Sequence, residues 1–247
     1  MGHYNPFTLE GRNILVTGAS SGIGQGTAIV CSKMGAKVII GGRNEAKLNM
    51  TFSLLEGIGH SIMVGDLTDC SLLSAMVESL PKLDGVVHCA GIGQRLPCKQ
   101  LKENDVDKVM DINFKAPILL QAELLQQKKL NKNASIVFIA SIASWSPSFG
   151  NSIYSASKGA IISYANCLSI ELASRGIRVN CISPAMVWTD LVIQEGVDEE
   201  QLKEDEKMYP LKRYGTPEDI ANLAVYMLSD ASSWMTGSNV KISGGGK

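Results

Sequence analysis

The chain has 247 residues, of which 45% are hydrophobic and 19% are charged, and its formal net charge is −1 at pH 7. This composition is typical of a globular protein, and the length is sufficient to bury a large core in one domain. A net charge so close to zero excludes a strongly basic nucleic-acid-binding protein and provides no field that attracts an anionic membrane, so a small-molecule partner is expected.

The cysteines and the amino-terminal segment indicate the compartment. Six cysteines are scattered along the chain, without a Cys-x-x-Cys pair or a Cys/His spacing typical of a metal site. We expect free thiols and no metal. The first residues lack the basic region and apolar core of a signal peptide, and no apolar run approaches the length of a membrane span. These features predict a cytoplasmic protein.

Short runs rich in β-branched residues alternate with longer segments of helical period. The predicted strands are 13–17, 37–41, 61–65, 85–89, 135–140, 178–182 and 239–243, and the predicted helices are 23–34, 44–57, 69–79, 103–129, 154–174 and 218–229. Several strands are apolar nearly throughout, as strands covered on both faces are. The alternation predicts an α/β fold: a single Rossmann-type domain over 1–247, with a doubly wound parallel sheet of about seven strands.

A glycine-rich turn follows the first predicted strand and opens the first predicted helix. It reads Thr-Gly-Ala-Ser-Ser-Gly-Ile-Gly over 17–24, a spacing that differs from the best-known dinucleotide motif. Glycines permit a sharp turn and a close approach to a ligand, and a helix amino terminus directs free N–H groups at an anion. Turn chemistry alone could explain the glycines, but their position favours a pyrophosphate site. The predicted contacts are Gly18, Ser20, Ser21, Gly22, Ile23 and Gly24.

The second predicted strand is followed by Arg43 and Asn44, which we assign to the cofactor site. Many dinucleotide-binding folds place an acidic residue here to hold the adenosine ribose. An arginine instead pairs with the 2′-phosphate of NADP, and the missing carboxylate removes a repulsion. Arg43 therefore predicts NADP(H) rather than NAD(H); the alternative is a surface arginine at a strand end.

The next two strand ends complete the predicted cofactor site. Asp66 and Leu67 follow the third strand, where a side chain can meet the adenine ring, although Asp66 could equally cap a helix. Cys89, Ala90 and Gly91 follow the fourth strand and provide space beside the cofactor. His88, at the end of that strand, is interpreted as a packing residue.

Two polar residues in the middle of the chain are candidates for the chemistry. Asn113 lies inside the helix predicted over 103–129, where its side chain can hold a water molecule. Ser141 ends the fifth predicted strand, where its hydroxyl can orient a substrate carbonyl.

Tyr154 and Lys158 are four residues apart at the start of a predicted helix, so they share one face. A free tyrosine has a pKa of about 10, and an adjacent ammonium favours the phenolate and lowers that pKa. Tyr154 then becomes a usable general acid and base. An ordinary surface pair is the alternative, which the neighbouring strand-end residues disfavour.

Over nearly the whole chain, these motifs resemble the short-chain dehydrogenase/reductase family. The family pattern TGxxxGxG is the glycine turn, its YxxxK is Tyr154 to Lys158, and its active-site serine and asparagine match Ser141 and Asn113. The resemblance implies that Tyr154 donates the proton and that Lys158 tunes it while binding the nicotinamide ribose. It further implies that Ser141 holds the carbonyl and that Asn113 anchors a proton-relay water.

The segment after the sixth strand is similar to the family more loosely. The resemblance implies that Val187 and Thr189 contact the carboxamide and phosphates of the cofactor, although Ala185 stands where glycine is usual. Two further departures are His88 and Cys89 in place of two asparagines, and Ser243 in place of an aspartate.

The segment 190–213 is crowded with charged residues. Its charges are typical of solvated helix faces. The alternative is a mobile lid that covers the site.

The substrate is less defined by the sequence. Within the family the chain is most similar to 3-oxoacyl-[acyl-carrier-protein] reductases, which implies a carbonyl or alcohol substrate carried as an acyl thioester and a homodimer or homotetramer. A hydroxysteroid dehydrogenase, a polyol or sugar dehydrogenase, and a non-catalytic dinucleotide sensor stay open as alternatives. Trp145, Phe149, Met186 and Trp188 suggest an apolar pocket, and the alternative is that they are ordinary core residues. Four cations could form a basic edge that binds an acidic carrier: Lys128, Lys129, Lys132 and Arg175. The alternative is that they are ordinary solvated surface charges.

Overall fold

A computed structural model of the protein describes residues 4–189 and 199–246. Its centre is a seven-stranded sheet in the spatial order β3-β2-β1-β4-β5-β6-β7, in which every neighbouring pair is parallel. The strands are β1 (Asn13–Thr17), β2 (Lys37–Gly42), β3 (Ser61–Val64), β4 (Leu83–His88), β5 (Leu130–Ile139), β6 (Arg178–Pro184) and β7 (Asn239–Ile242). The predicted Rossmann-type sheet of about seven parallel strands is confirmed.

Helices cover both faces of the sheet. They are α1 (Gly22–Lys33), α2 (Glu45–Phe52), α3 (Cys70–Glu78), α4 (Glu103–Met110), α5 (Ala116–Gln126), α6 (Ser152–Leu172), α7 (Glu199–Met208) and α8 (Pro217–Leu228). The helix predicted over 103–129 is interrupted, because a single π-helical segment, Asp111–Lys115, joins α4 to α5. No helix in the described ranges is long and apolar enough to cross a membrane.

The strands alternate their side chains between two cores. In β1, Leu15 packs with residues of α3, α5 and α6, whereas Ile14 and Val16 pack with residues of α1 and α8 on the other face. All three side chains are fully buried. Burial on both faces explains why the three central residues of this strand are all apolar.

The strand order reverses beside β1, because β1 pairs with β2 on one side and with β4 on the other. In open parallel sheets such a reversal leaves a crevice at the carboxyl ends of the strands, where ligands bind. The turns after β1, β2, β3 and β4 all meet at this edge, so the fold itself brings the predicted ligand-binding segments together.

Candidate active site

The glycine turn after β1 is packed so closely that side chains would not fit. Gly18 has a φ of +65°, and a Cβ added there would lie 2.7 Å from the Ala90 nitrogen. A Cβ added at Gly24 would overlap the carbonyl oxygen of Gly18. Glycine at position 18 therefore lets the turn approach the loop after β4, and glycine at position 24 lets α1 pack against the turn.

Thr17 fixes this turn to the end of β4. Its buried hydroxyl oxygen accepts hydrogen bonds from the backbone N–H groups of Cys89, at 3.2 Å, and Ala90, at 3.3 Å. The loop after β4, where His88 and Cys89 stand in place of two asparagines, is thus held by the Thr17 side chain from β1.

The turn forms one wall of a cleft, called here the cofactor cleft. The predicted residues that line it are Gly18, Ser20, Ser21, Gly22, Ile23, Gly24, Arg43, Asp66, Leu67, Cys89, Ala90, Gly91 and Thr189. The sequence did not single out the further lining residues Gly42, Gly65, Thr68, Ile92, Ile112 and Ala116. Asn44 lies outside this lining, because its side chain accepts a hydrogen bond from the Lys47 backbone N–H at 3.0 Å and caps α2.

Arg43 and Asp66 face each other at the mouth of the cofactor cleft. An Arg43 guanidinium nitrogen lies 3.4 Å from an Asp66 carboxylate oxygen, and the two side chains are 61% and 39% exposed. Burial opposes ionisation of Asp66, but hydrogen bonds from the Thr68 N–H and hydroxyl, together with Arg43, hold its pKa below the ordinary value. Asp66 thus lines the cleft and also shapes the turn before α3, which Asp69 caps by accepting from the Ser71 N–H.

A second cleft, called here the substrate cleft, adjoins the first. Ile23, Cys89, Gly91, Ile92 and Thr189 line both clefts. Ser141, Tyr154, Lys158 and Val187 line the substrate cleft, as do several residues that the sequence did not single out as site residues: Arg95, Ile139, Ala140, Ile142, Ala143, Ser146, Ser148, Asn151, Pro184 and Tyr209. Three of the four predicted catalytic residues therefore line the substrate cleft, which adjoins the cofactor cleft.

Lys158 is a buried cation beside Tyr154. Its side-chain nitrogen donates a hydrogen bond to the Ile139 carbonyl oxygen at 2.8 Å and lies 5.9 Å from the centre of the Tyr154 ring. The side chain is only 6% exposed, and burial lowers the pKa of Lys158 to about 8. The Lys158 ammonium therefore lies close to the Tyr154 ring.

Ser141 follows the carboxyl end of β5. Its hydroxyl oxygen accepts a hydrogen bond from the Ala143 backbone N–H at 3.1 Å. The hydroxyl hydrogen is not used in that bond, so Ser141 can donate to a ligand oxygen in the cleft.

Asn113 lies behind the cofactor cleft rather than among its lining residues. Its amide oxygen accepts from the Ile92 N–H at 2.8 Å, and its amide nitrogen donates to the Ile92 carbonyl at 2.9 Å and to the Ser157 hydroxyl at 3.1 Å. The π-helical segment places this side chain against α6. Asn113 thus ties the loop after β4 to the helix that carries Tyr154.

Of the four residues suggested for an apolar pocket, Met186 is the one that the structure places among the described lining residues of the substrate cleft. Trp145 and Phe149 are 48% and 86% exposed and are not among its described lining residues. Trp188 packs on Tyr214 with ring centres 5.2 Å apart and donates to a Glu206 carboxylate oxygen at 2.5 Å. Nearness in sequence to a site does not determine on which side of a loop a side chain lies.

The charged segment 190–213 is described from residue 199 onward, so the first part of the predicted lid, 190–198, lies outside the described residues. In the described part, Tyr209 lines the substrate cleft. Asp205 accepts a hydrogen bond from the Tyr214 hydroxyl at 2.6 Å, and Glu206 accepts one from the Tyr214 backbone N–H at 2.9 Å. These two carboxylates therefore fasten α7 to the loop before α8 instead of only facing solvent.

The basic edge lies at the opposite end of the sheet. Lys128, Lys132 and Arg175 surround the start of β5, together with Lys82. Ten residues of β5 separate this edge from Ser141, which is about 30 Å of extended strand. The basic edge is therefore not part of the substrate cleft of the same chain.

His88 is a packing residue, as predicted. Its ring stacks on Phe138 with centres 4.5 Å apart, and its Nε2 lies 3.2 Å from the Gln121 amide oxygen. Burial lowers the pKa of His88 to about 4, so the ring is neutral at physiological pH. Within the described ranges, no group of three or more His, Cys, Asp or Glu residues is arranged to hold a metal ion.

Comparison with known proteins finds relatives along almost the whole chain. The family model described as Enoyl-(Acyl carrier protein) reductase matches residues 18–247. A 3-oxoacyl-[acyl-carrier-protein] reductase of Rickettsia felis is 36% identical, with 96% of this chain and 97% of the relative covered. An L-xylulose reductase of Caenorhabditis elegans is 33% identical, with 95% of both chains covered.

Solved structures share the fold at similar identity. A short-chain dehydrogenase/reductase from Brucella melitensis, described as a glucose/ribitol dehydrogenase, superposes with a TM-score of 0.90 at 28% identity, and 98% of each chain is covered. A putative NAD(P)-dependent gluconate 5-dehydrogenase from Beutenbergia cavernae, with bound NADP at low occupancy, gives a TM-score of 0.88 at 31% identity, again with 98% of each chain covered.

Proposed function

This chain belongs to the short-chain dehydrogenase/reductase family, and on that premise we propose that it is an NADP(H)-dependent oxidoreductase that interconverts a carbonyl compound and a secondary alcohol. The observation that carries the proposal is that Ser141, Tyr154 and Lys158 line one cleft and that this cleft adjoins a second one with a glycine cradle. A non-catalytic dinucleotide sensor would have no need to keep these three groups in one place.

The cofactor cleft fits a nicotinamide dinucleotide. Added Cβ atoms at Gly18 and Gly24 would fill the space beside the amino terminus of α1. A pyrophosphate can accept hydrogen bonds from the backbone N–H groups there. A bound nicotinamide dinucleotide supplies or accepts a hydride at carbon. Lys158 and Tyr154 lie close to the residues shared by both clefts, so they can contact the nicotinamide end of such a molecule.

Each catalytic side chain has a role that its surroundings permit. Ser141 donates a hydrogen bond to the substrate oxygen and fixes its position. Tyr154 delivers a proton to that oxygen in reduction or removes one in oxidation, and the Lys158 ammonium stabilises the phenolate that forms. Asn113 keeps the loop after β4 and α6 at a fixed separation, which holds Tyr154 in line with the cofactor cleft.

Arg43 supports NADP(H) over NAD(H). It lines the cofactor cleft immediately after β2 and can pair with a 2′-phosphate. Asp66 faces it at 3.4 Å, so part of the positive charge is offset before a ligand binds. We expect a preference at the lower end of the range for a charged hydrogen bond, about tenfold.

Two substrate classes have specific support. Identity of 36% with a 3-oxoacyl-[acyl-carrier-protein] reductase favours a β-ketoacyl thioester. The relative that is an L-xylulose reductase and the neighbour that is a putative gluconate 5-dehydrogenase favour a polyol or sugar acid. Ser146, Ser148 and Asn151 give the substrate cleft a polar side that suits this second class.

The experiment that tests the proposal follows the oxidation of NADPH and of NADH by the purified protein with a β-ketoacyl thioester, a keto-sugar acid and a ketosteroid. We expect faster turnover with NADPH and at least one carbonyl compound. The Tyr154→Phe variant is expected to lose turnover, because no other side chain at this position delivers the proton, while it retains cofactor binding measured by fluorescence titration.

Tyr164→Phe is the matched control. Tyr164 lies on the same helix, packs edge-on against Phe138 with ring centres 5.8 Å apart and is not among the described residues that line either cleft. It should retain turnover. Ordinary turnover by Tyr154→Phe would remove the proposed mechanism.

A further inference from the structure

A second tyrosine lines the substrate cleft besides Tyr154. Tyr209 follows α7 directly and is partly buried. Ser141 and Tyr154 come from the end of β5 and from α6, so Tyr209 brings a hydroxyl to the cleft from a different element. The proposed chemistry gives this hydroxyl no role.

The ring of Tyr209 is held in one place. Its backbone N–H donates to the Glu206 carbonyl at 3.0 Å, and its carbonyl accepts from the Lys212 N–H at 2.8 Å. The ring packs edge-on against the buried Tyr214, with ring centres 5.3 Å apart. A Cβ added at Gly246 would overlap the Cε1 atom of Tyr209, so the chain also lies tightly against the ring there. A side chain held by packing in this way can position a ligand.

The Tyr209 hydroxyl keeps its hydrogen for a ligand. Burial raises the pKa of Tyr209, and the Asp205 carboxylate adds to this effect, so the phenol is protonated at physiological pH. The Met186 backbone N–H donates to the hydroxyl oxygen, and Met186 lines the same cleft. Within residues 4–189 and 199–246, the hydroxyl donates to no protein acceptor. Because a tyrosine hydroxyl can accept and donate at once, Tyr209 can donate into the cleft.

The reacting oxygen of the substrate already has its partners. In the proposed function, Ser141 and Tyr154 bind the carbonyl oxygen. The substrate cleft has a volume of about 300 Å³, at the lower end of the range for small-molecule sites, so a substrate bound at Ser141 extends along its other walls as well. The donor on Tyr209 is thus available to a different oxygen of the same molecule.

We propose that the Tyr209 hydroxyl binds a second oxygen of the substrate, carried close to the reacting carbonyl, and that the protein therefore prefers such compounds to isolated ketones. The inference rests on the proposed oxidoreductase activity and adds a specificity-determining residue. The thioester oxygen of a β-ketoacyl thioester and a hydroxyl of a keto-sugar acid are both acceptors of this kind. An isolated ketone, as in a ketosteroid, leaves the hydroxyl without an acceptor when it fills the cleft, which lowers affinity.

The test uses two pairs of ketones whose members differ in that oxygen. S-acetoacetyl-N-acetylcysteamine is paired with the thioether in which a methylene group replaces the thioester carbonyl. The second pair is 2-hydroxycyclohexanone and cyclohexanone. A dependence on Tyr209 within the first pair identifies a carbonyl oxygen as the acceptor, and a dependence within the second pair identifies a hydroxyl.

Tyr209→Phe removes the hydroxyl and keeps the ring. In at least one pair it should lower kcat/KM for the member with the second oxygen about fivefold to tenfold and leave the other member within about twofold. The loss should appear mainly in KM, because a bond to a non-reacting oxygen is present before and during the reaction alike.

Tyr226→Phe is the matched control. Tyr226 packs against Phe7 with ring centres 6.2 Å apart and lies outside the described lining of the substrate cleft. Loss of its hydroxyl should leave both members of each pair unchanged.

Binding measured in the Tyr154→Phe background separates this inference from the proposed function. Isothermal titration of the four ketones in the presence of NADP+, with and without Tyr209→Phe, reports affinity without turnover. We expect a loss confined to the oxygen-bearing member of a pair. An equal loss for both members of each pair, no loss, or no binding of any of the four ketones would overturn the role of Tyr209. Absence of turnover by the wild-type protein, with binding that still depends on Tyr209, would count against the oxidoreductase proposal instead.

Discussion

Lys158 has opposite effects on stability and on chemistry. Its ammonium is buried, and the Ile139 carbonyl is the hydrogen-bond acceptor that the structure gives it. Burial lowers its pKa from 10.5 to about 8, and a shift of this size corresponds to about 3 kcal/mol of unfavourable interaction in the charged form. The folded chain thus holds a buried cation at a cost in stability, 5.9 Å from the centre of the Tyr154 ring.

Lys158→Met should therefore lose turnover and gain stability. The unfolded wild-type chain binds the lysine proton more tightly than the folded chain, so the free energy of unfolding of the wild type rises as pH increases from about 8 towards 10.5. The variant lacks this rise. We expect it to be more stable than the wild type by about 1–3 kcal/mol at pH 7, and by less at pH 9.5, in urea unfolding without cofactor.

Lys33→Met, which removes an exposed lysine of α1, supplies the control, because its stability relative to the wild type should not change between the two pH values. A stability difference for Lys158→Met that is the same at pH 7 and pH 9.5 would show that the buried charge is not its cause.

Arg43 determines the cofactor preference in the proposed function. Arg43→Ala should raise KM for NADPH about tenfold and leave KM for NADH nearly unchanged, because only NADPH carries the 2′-phosphate. Steady-state kinetics with both cofactors measure the change. Lys47→Ala removes a neighbouring exposed cation of α2 that does not line the cleft, and it should retain the preference. An unchanged preference in Arg43→Ala would refute the role of Arg43.

At the scale of single elements, the strands follow closely from the sequence and the π-helical segment does not. The centre of β1, Ile14–Val16, is buried on both faces and is apolar without a break. The segment Asp111–Lys115 has no comparable signal, because a single π-helical turn inside an α-helix is rare and no residue pattern identified it in the sequence. The sequence therefore predicts Asn113 as a site residue, but it does not predict the π-helical turn that directs its side chain at Ile92.

The glycine turn can be tested as an element. Gly24→Ala should abolish NADPH binding in a fluorescence titration, because its Cβ would overlap the Gly18 carbonyl oxygen and force α1 away from the turn. Gly159→Ala is the matched control, since Gly159 lies inside α6, where a Cβ would meet only the Ser144 Cβ at 3.8 Å. That variant should bind NADPH normally and gain up to about 1 kcal/mol from helix propensity.

Equal NADPH affinity in the two variants would show that the turn does not depend on the absence of a side chain. Weak binding by Gly159→Ala would point instead to a general sensitivity of the fold to added methyl groups.

At the scale of the whole molecule, the sequence predicts which strand-end residues lie together at the carboxyl edge of the sheet. It does not predict which residues of distant loops also line the site there. Ser141, Tyr154 and the glycine turn follow from strand ends, which the parallel topology brings together. Arg95 and Tyr209 reach the substrate cleft through loop contacts between distant segments, and no local pattern encodes those contacts. Assembly into a dimer or tetramer stays a prediction for the same reason. Ile170 on α6 is 79% exposed, but the surface that would cover it in an oligomer does not follow from a single chain.

The connection between α7 and the substrate cleft gives the last prediction. Glu206 accepts hydrogen bonds from the Trp188 ring nitrogen and the Tyr214 backbone N–H, and Tyr209, just after α7, lines the cleft. Glu206→Ala leaves these two donors without their acceptor, at a cost of about 1–3 kcal/mol to the attachment of α7. Because α7 packs at the periphery of the sheet, local opening should increase while global unfolding changes much less.

Hydrogen exchange should accordingly show faster exchange in α7 of Glu206→Ala and little change in β1 and β4, and KM for the carbonyl substrate should rise more than kcat falls. Glu204→Ala is the matched variant, since Glu204 lies on the same helix and pairs with Lys207 at the surface, where an ion pair contributes little. It should leave both exchange and KM unchanged. Equal protection of α7 in the two variants would mean that Glu206 does not fasten this helix, and the predicted lid would then lose this support.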